Sequence, residues 1–574
     1  MPARPAVITL AALWFCLYPI WCAAMDVEIR GLPEDIAERI RNSISIEDNA
    51  ADETIDHDEA RRRMARGRQQ LKRSMTAFGF YRARVSAELA GETGGWKAIY
   101  RVTPGEPAAY EKVRIEITGP ARSEESLSQY LDSEPLAPGE PVEHARYESV
   151  KQELLKRTIE LGYLDASLST HRVEVDPDSY SAEATIVVDS GPLFHFGEIR
   201  LLQDELHDDY LRRFVAVSPG DRYSDRKLLR VEEDLRNSNY FEQVRVEPLI
   251  DQADQDSRVP VEVRLTPRKR SEYQAGLGYG TDTGARGSLG WLRHRVNRLG
   301  HRFRSSLQLS EIGGSVEGRY IIPFGDPRRE EYELFASYVE NAPDTSDSEL
   351  ARIGVLRSTA MGRTRLNLSF AYQREDFTVA GQSGLTDLFI PGIGLSRVTA
   401  DDRMYTRKGM RWNVSVQGSA GLLSDFAFIQ PRASGKLIRS IGDLRVILRG
   451  EAAYTAAKLE KLPASLRFFA GGDQSVRGFG YETLGPENED GEVTGGRRLL
   501  VGSAEVDYGV AENWRLAAFV DAGNAFDDFH EPLRKSVGIG VRRITPIGPI
   551  RVDLAHPFSG GDSLRLHITL GPDL

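Results

Sequence analysis

From about Arg270 to the C-terminus, apolar and polar residues alternate with a period of two, and helical periodicity is almost absent. Leu366, Leu368, Phe370 and Tyr372 alternate with Asn367, Ser369 and Ala371. Trp412, Val414 and Val416 alternate with Asn413, Ser415 and Gln417, and Leu564, Leu566, Ile568 and Leu570 with Arg565, His567 and Thr569. Strands of this kind bury one face and wet the other. They fit a soluble β-sandwich with its apolar face inside, or a transmembrane barrel with its apolar face in lipid. The barrel is favoured because the strands are long, tyrosines recur near their ends (Tyr273, Tyr320, Tyr338), and residues 269–574 exceed one sandwich core. About 16 strands can be counted, an even number that suits closure of one antiparallel chain on itself. The last strand reaches the C-terminus, so closure requires the first and last strands to pair. That seam is the one line along which the wall can part without breaking the chain.

Residues before 268 follow another pattern, and they repeat it. Helices ending at Gly79-Phe80-Tyr81, Gly162-Tyr163-Leu164 and Asn239-Tyr240-Phe241 each run into a strand. Gly and Asn tolerate the left-handed conformation that closes a helix, and the aromatic that follows can pack back on it. Each unit opens with a strand (Val27–Arg30, Val113–Ile117, Gly197–Arg200) and closes with one (Lys97–Val102, Ala184–Val188, Val261–Leu265). Val150, Leu154, Leu155 and Ile159 are spaced for one apolar helix face. The unit is therefore β-α-α-β-β, repeated three times over roughly 75 to 85 residues, a length that suits tandem small domains. The fold class is α+β repeats followed by an all-β barrel, with boundaries at 25–108, 109–193, 194–268 and 269–574.

Residues 1–24 read as a secretory signal: Arg4 charges the start, Val7–Trp21 is apolar, and Cys22-Ala23-Ala24 offers a small-residue cleavage site. Both cysteines lie there, so the exported chain has no thiol, disulfide or cysteine metal site. The formal net charge of −11, with no basic domain, argues against a nucleic-acid partner. The ten histidines show no metal-binding spacing, and no Ser/His/Asp arrangement or paired acid and base stands out. The chain reads as a non-enzyme without cofactor or metal. Asp251, Asp254 and Asp256 read as a solvated hairpin tip, and Asp401-Asp402 and Glu487–Glu492 as extracellular loop charge.

One stretch breaks the strand pattern: Arg467-Phe-Phe-Ala-Gly-Gly-Asp-Gln-Ser-Val-Arg-Gly-Phe-Gly-Tyr481. Loops this rich in aromatics and glycine are seldom mere connectors. With the signal segment, the three repeats and the terminal barrel, its Val476-Arg477-Gly478-Phe479 resembles the V/I-R-G-F/Y motif of the BamA/TamA group of outer-membrane insertases, whose repeats are POTRA domains. The three repeats, the longer match over 467–481 and the ending Leu570-Gly571-Pro572-Asp573-Leu574 look most like the TamA branch.

The resemblance implies insertion or translocation of autotransporters or other outer-membrane proteins. Its implied partners are unfolded client proteins, the lipid bilayer and a TamB-like periplasm-spanning protein. A two-partner-secretion pore and a purely structural porin-like or adhesive barrel are the alternatives. The resemblance also implies that the motif loop folds into the barrel, where Arg477 meets acidic residues on the inner wall. Parity points to the same place independently. With Leu516, Ala518 and Val520 outward, Asp521 points inward; with Leu500, Ala504 and Val506 outward, so does Glu505. For the seam, Gly276, Gly278 and Gly280 of the first strand should pack poorly. Pro572 near Ile568 in the last strand cannot donate a hydrogen bond.

Overall fold

The computed structural model describes residues 26–41, 56–91, 95–528, 530–546, 548–558, 564–571 and 573. The signal segment and Pro572 lie outside them. The first repeat runs β1 (Asp26–Arg30), α1 (Glu34–Arg41), α2 (His57–Ala77), β2 (Arg84–Ala90), β3 (Lys97–Thr103). The second runs β4 (Ala109–Thr118), α3 (Glu125–Asp132), α4 (His144–Glu160), β5 (Ser167–Asp176), β6 (Ser181–Asp189). The third runs β7 (His195–Leu202), α5 (Asp208–Leu211), α6 (Asp225–Asn237), β8 (Phe241–Pro248), β9 (Arg258–Pro267).

Each repeat builds a three-stranded sheet with its closing strand in the middle: β1-β3-β2, β4-β6-β5 and β7-β9-β8. In the first two, the opening strand pairs parallel with the closing one and the remaining strand antiparallel. The middle strand carries the core residues. Ala182, Ala184, Ile186 and Val188 of β6 are buried with Tyr147, Val150 and Leu154 of α4. In the first repeat, Leu71 and Met75 of α2 meet Ala98, Tyr100 and Val102 of β3. Gly79, Gly162 and Asn239, with φ of +84°, +94° and +63°, end the long helices in the left-handed region. Phe80 and Tyr163 then pack back into the cores of their repeats. The tip between β8 and β9 is an Asx turn, in which Asp254 Oδ1 accepts the amides of Asp256 and Arg258, each at 2.9 Å.

The chain divides into two compact units. One takes the residues up to 198 with 219–226 and 250–260; the other takes 199–218, 227–249 and 261 onward. Within the second unit, α5 and the segment after α6 are bonded to the residue 294–301 turn. Tyr210 Oη lies 2.8 Å from Tyr240 Oη, which donates to Gly300 O at 2.6 Å. Burial pushes both phenols well above their usual range, so both keep their protons and the chain of donors ends on the carbonyl. Arg295 donates to the carbonyls of Tyr240 and Arg268, both at 2.7 Å.

The barrel is closed, antiparallel and 16-stranded. Its first half comprises β10 (Ser271–Gly280), β11 (Gly284–Arg293), β12 (Arg302–Ser310), β13 (Gly313–Pro323), β14 (Glu330–Asn341), β15 (Ser346–Met361), β16 (Thr364–Val379) and β17 (Gln382–Ala400). Its second half comprises β18 (Lys408–Ser419), β19 (Phe428–Ile441), β20 (Leu444–Tyr454), β21 (Arg498–Ala511), β22 (Trp514–Phe526), β23 (Arg534–Arg543), β24 (Ile550–Pro557) and β25 (Arg565–Leu570). Alternation sends large apolar residues outward, where Leu289, Ile353, Phe370, Ile393 and Ile539 stand exposed, as a lipid-facing band requires.

One expectation is corrected here. Asp401-Asp402 sits in the β17–β18 turn, at the same end as the β11–β12 turn that Tyr240 bonds. It is not on the far, outward end. Loop composition says nothing about sides; only counting strands from the third repeat does.

Candidate functional site

The connection between β20 and β21 carries the V-R-G-F residues into the lumen. Phe468, Ala470, Val476, Phe479 and Leu484 form a buried cluster with the inward faces of Leu499, Val501 and Ala525. The loop is thus held by its own apolar residues, and Arg477 is delivered to the wall between them.

Arg477 is 6% exposed. Its Nε donates to Asp521 Oδ2 at 2.8 Å and its Nη2 to Asp521 Oδ1 at 3.0 Å, a bidentate grip that only a planar guanidinium makes. Its backbone N–H adds a third bond to Asp521 at 3.1 Å. Nη1 reaches Glu505 Oε2 at 2.8 Å and Asp553 Oδ2 at 3.0 Å. The guanidinium carbon lies 3.4 Å from the centre of the Phe519 ring, on which it stacks. The structure therefore brings together Arg477, Asp521 and Glu505.

It adds residues that the two strands read from sequence did not include. Arg542 on β23 donates to Glu505 Oε1 at 2.8 Å and to Asp553 Oδ1 at 2.5 Å, closing a ring of two cations and three carboxylates. The same inward parity, extended to β23 and β24, finds both Arg542 and Asp553. Room for the ring comes from glycines. A Cβ on Gly538 would overlap the Phe519 ring, and one on Gly540 would overlap the Asp553 carboxylate and the Arg542 guanidinium. Gly478 has φ of +93°, and its N–H donates to His567 Nε2 at 2.8 Å. This ties the motif to the last strand.

The seam is short. Among the described residues, β10 and β25 share a single register pair, Gly280 with Thr569. Two bonds beyond the end of β10 support it: Thr281 N–H to Ile568 O at 3.3 Å, and Ile568 N–H to Thr281 Oγ1 at 3.2 Å. The neighbouring β10–β11 ladder, by contrast, runs the whole length of β10. Gly280 and Ile568 are at the seam, whereas Gly276 and Gly278 pair with β11 and face no partner on β25. The reason is that β25 leaves the sheet after Leu570, before it could reach them.

At the outward end of the seam, Asp282 in the β10–β11 turn, Asp473 in the lumenal loop and His567 come together. Asp473 N–H donates to Asp282 Oδ2 at 2.5 Å, Thr281 Oγ1 to Asp473 Oδ1 at 2.9 Å, and His567 Nδ1 lies 2.6 Å from Asp473 Oδ1. The trio has the donor types of a metal site, but its hydrogen bonds point elsewhere. Nε2 accepts the Gly478 N–H, so the imidazole proton sits on Nδ1 and is donated to Asp473. A cation on Nδ1 would require a proton on Nε2, against that N–H.

Burial and the adjacent Asp473 carboxylate push the Asp282 pKa up to about 6. A carboxylic acid whose folded pKa is raised binds more protons folded than unfolded between its two pKa values. Its charge therefore destabilises the corner above pH 6, and stability rises as pH falls toward 4. Asp282→Asn, which keeps an oxygen for the Asp473 amide, should raise the heat-unfolding midpoint at pH 7.5 by about 2–4 °C. The gain should vanish near pH 4.5; an equal gain at both pH values would refute the charge account.

A family model described as the Omp85 superfamily domain matches residues 285–571, half of the chain. The chain belongs to the Omp85 superfamily. Two further models cover Omp85-type periplasmic repeats: "POTRA domain TamA domain 1" at residues 26–104, and POTRA, "Surface antigen variable number repeat", at residues 194–268. Among curated proteins, the outer membrane protein assembly factor BamA of Nitratidesulfovibrio vulgaris is 23% identical over 440 residues, covering 71% of this chain and 54% of its own length. BamA of Neisseria meningitidis is 20% identical, covering 74% of this chain and 61% of its own. The chain thus spans little more than half the length of these relatives. The crystal structure of Haemophilus ducreyi BamA lacking POTRA domains 1–3 superposes with a TM-score of 0.69 at 17% identity, covering 81% of this chain and 99% of that one, and shows the same fold. As an Omp85 protein of a Gram-negative bacterium, the chain places its barrel in the outer membrane and its POTRA repeats in the periplasm. The 401–407 turn and the C-terminal end of β25 therefore face the periplasm.

Proposed function

We propose that this protein is an outer-membrane assembly factor that inserts autotransporters or other β-barrel proteins through the seam between β10 and β25. The observation that carries the reading is the single register pair at the seam. Along most of β10 no described residue pairs with the backbone on that side, an edge onto which an unfolded client strand can add by β-augmentation. The outer strands of the POTRA sheets, β1, β2, β4 and β5, offer similar edges to clients or to a periplasmic partner. The lumenal ring around Arg477 serves as a latch that keeps an openable wall in register. We read residues 1–24 as the signal peptide and 25–108, 109–193, 194–268 and 269–574 as the functional domains. The match of the first repeat to a TamA-type POTRA domain supports a TamA-like member working with a TamB-like periplasm-spanning protein.

Cysteines at Gly280 and Thr569 test the gate. Oxidation should join them, stop client assembly in outer-membrane vesicles, and release the block on reduction. Full activity in the joined protein would sink the proposal. A large ion conductance in planar bilayers, with a single dedicated exported substrate, would favour a secretion pore instead.

A further inference from the structure

The chain leaves β25 at Leu570, yet Asp573 is only 3% exposed. It sits inside the barrel in a pocket of cations. Arg445 Nη1 donates to its Oδ2 at 2.6 Å and the Thr406 amide to the same oxygen at 3.1 Å. Arg551 Nη2 donates to Oδ1 at 2.7 Å, and Lys436 Nζ to the Asp573 carbonyl at 2.7 Å. The pocket is built by parts of the wall that β25 does not touch: β19, β20 and the β17–β18 turn, joined by β24. Arg445 is fully buried, is held a second time by Asp507 at 2.8 Å, and lies 4.6 Å from the centre of the Tyr405 ring. The pocket borders a lumenal cavity of about 810 Å³ that Arg411, Arg432, Arg449 and Arg551 also line.

We propose that Arg445, Arg551 and the Thr406 amide form a carboxylate-binding site for the chain's own Asp573, beside which Lys436 holds the Asp573 carbonyl, and that its occupancy holds the seam to one residue pair. Two arrangements of the tail compete. In the register set by Gly280 and Thr569, a straight β25 would continue until residue 574 faced Ala275, filling the vacant edge of β10. In the phase set by the Thr281 N–H bond to Ile568 O, that extension would place its backbone hydrogen bonds at residues 570, 572 and 574, and proline at 572 has no N–H to give; Gly278 and Gly276 add no side chains to pack. The pocket gains charge-assisted bonds, roughly twice as strong as neutral ones, inside a low-dielectric wall. The carboxylate therefore keeps the tail in the lumen and leaves the edge of β10 open. Removing the charge shifts the balance toward the extension.

The test needs no client, so it stands apart from the insertion reading. Cys16 and Cys22 precede residue 25, which leaves the exported chain free of competing thiols. Ala275→Cys and Leu574→Cys are introduced together in full-length protein with Asp573, Asp573→Glu or Asp573→Asn. Folding is checked by migration of the unheated barrel. Oxidation should give little crosslink with Asp573 or Asp573→Glu, and at least ~5-fold more with Asp573→Asn. Equal yields in the Asp and Asn proteins, high or low, would overturn the proposal. If Asp573→Asn fails to fold, Arg551→Gln removes one arm of the pocket; an unchanged yield there overturns it equally.

Discussion

Replacing Arg477 by alanine is expected to leave a barrel that still folds but unfolds on heating on the order of 10 °C lower, with most client-assembly activity lost. The substitution strands Asp521, Glu505 and Asp553 in the lumen with Arg542 as the one cation remaining in the ring. Removing one partner of a buried pair costs about 3–5 kcal/mol, because the remaining charges stay desolvated without compensation. Asp521 takes three of the bonds from Arg477, so Asp521→Ala should reproduce much of the loss. The exchanged pair, Arg477→Asp with Asp521→Arg, should recover part of it. Wild-type behaviour of Asp521→Ala beside a damaged Arg477→Ala would mean that this contact is not what the loop depends on.

The second large effect is expected from a residue without charge. Gly540→Ala would drive a methyl group into the Asp553 carboxylate and the Arg542 guanidinium, with its third neighbour the Val552 carbonyl at 2.8 Å. A flexible side chain can swing aside from such a contact; a backbone carbonyl in the β23–β24 ladder cannot. Overpacking of this kind costs about 1–3 kcal/mol before the ion ring is disturbed, and the ring is then broken from behind. Heat-unfolding midpoints of Gly540→Ala, Arg477→Ala and the double variant should therefore be far from additive. Strict additivity would show that the glycine and the arginine act on separate parts of the wall.

Much of this architecture is legible in the residues themselves. Period-two alternation, with the length of the strands and of the region, points to a barrel wall, and counting along β21 and β22 turns Glu505 and Asp521 inward because successive side chains in a strand face opposite ways. Gly79, Gly162 and Asn239 mark the helix ends, since few residues accept a positive φ there. Partnerships across the lumen escape such counting. Arg542 and Asp553 sit on the neighbouring strands β23 and β24, but they join Arg477 only once the β20–β21 loop has entered the barrel. His567 acquires its role only once the loop has arrived. Gly276 and Gly278 look like seam residues by position, but the extent of the seam is decided by Asp573, whose partners lie on the other side of the barrel. The side on which Asp401-Asp402 emerges depends on the parity of every strand before it.

The bonds from Tyr210, Tyr240 and Arg295 to the 294–301 turn have a mechanical consequence. That turn ends β11, and β11 is laddered along the whole of β10. Tyr240 and the segment around it are in effect welded to the first hairpin. A pull on that segment reaches β10, whose opposite margin meets β25 at one register pair and the two bonds between Thr281 and Ile568.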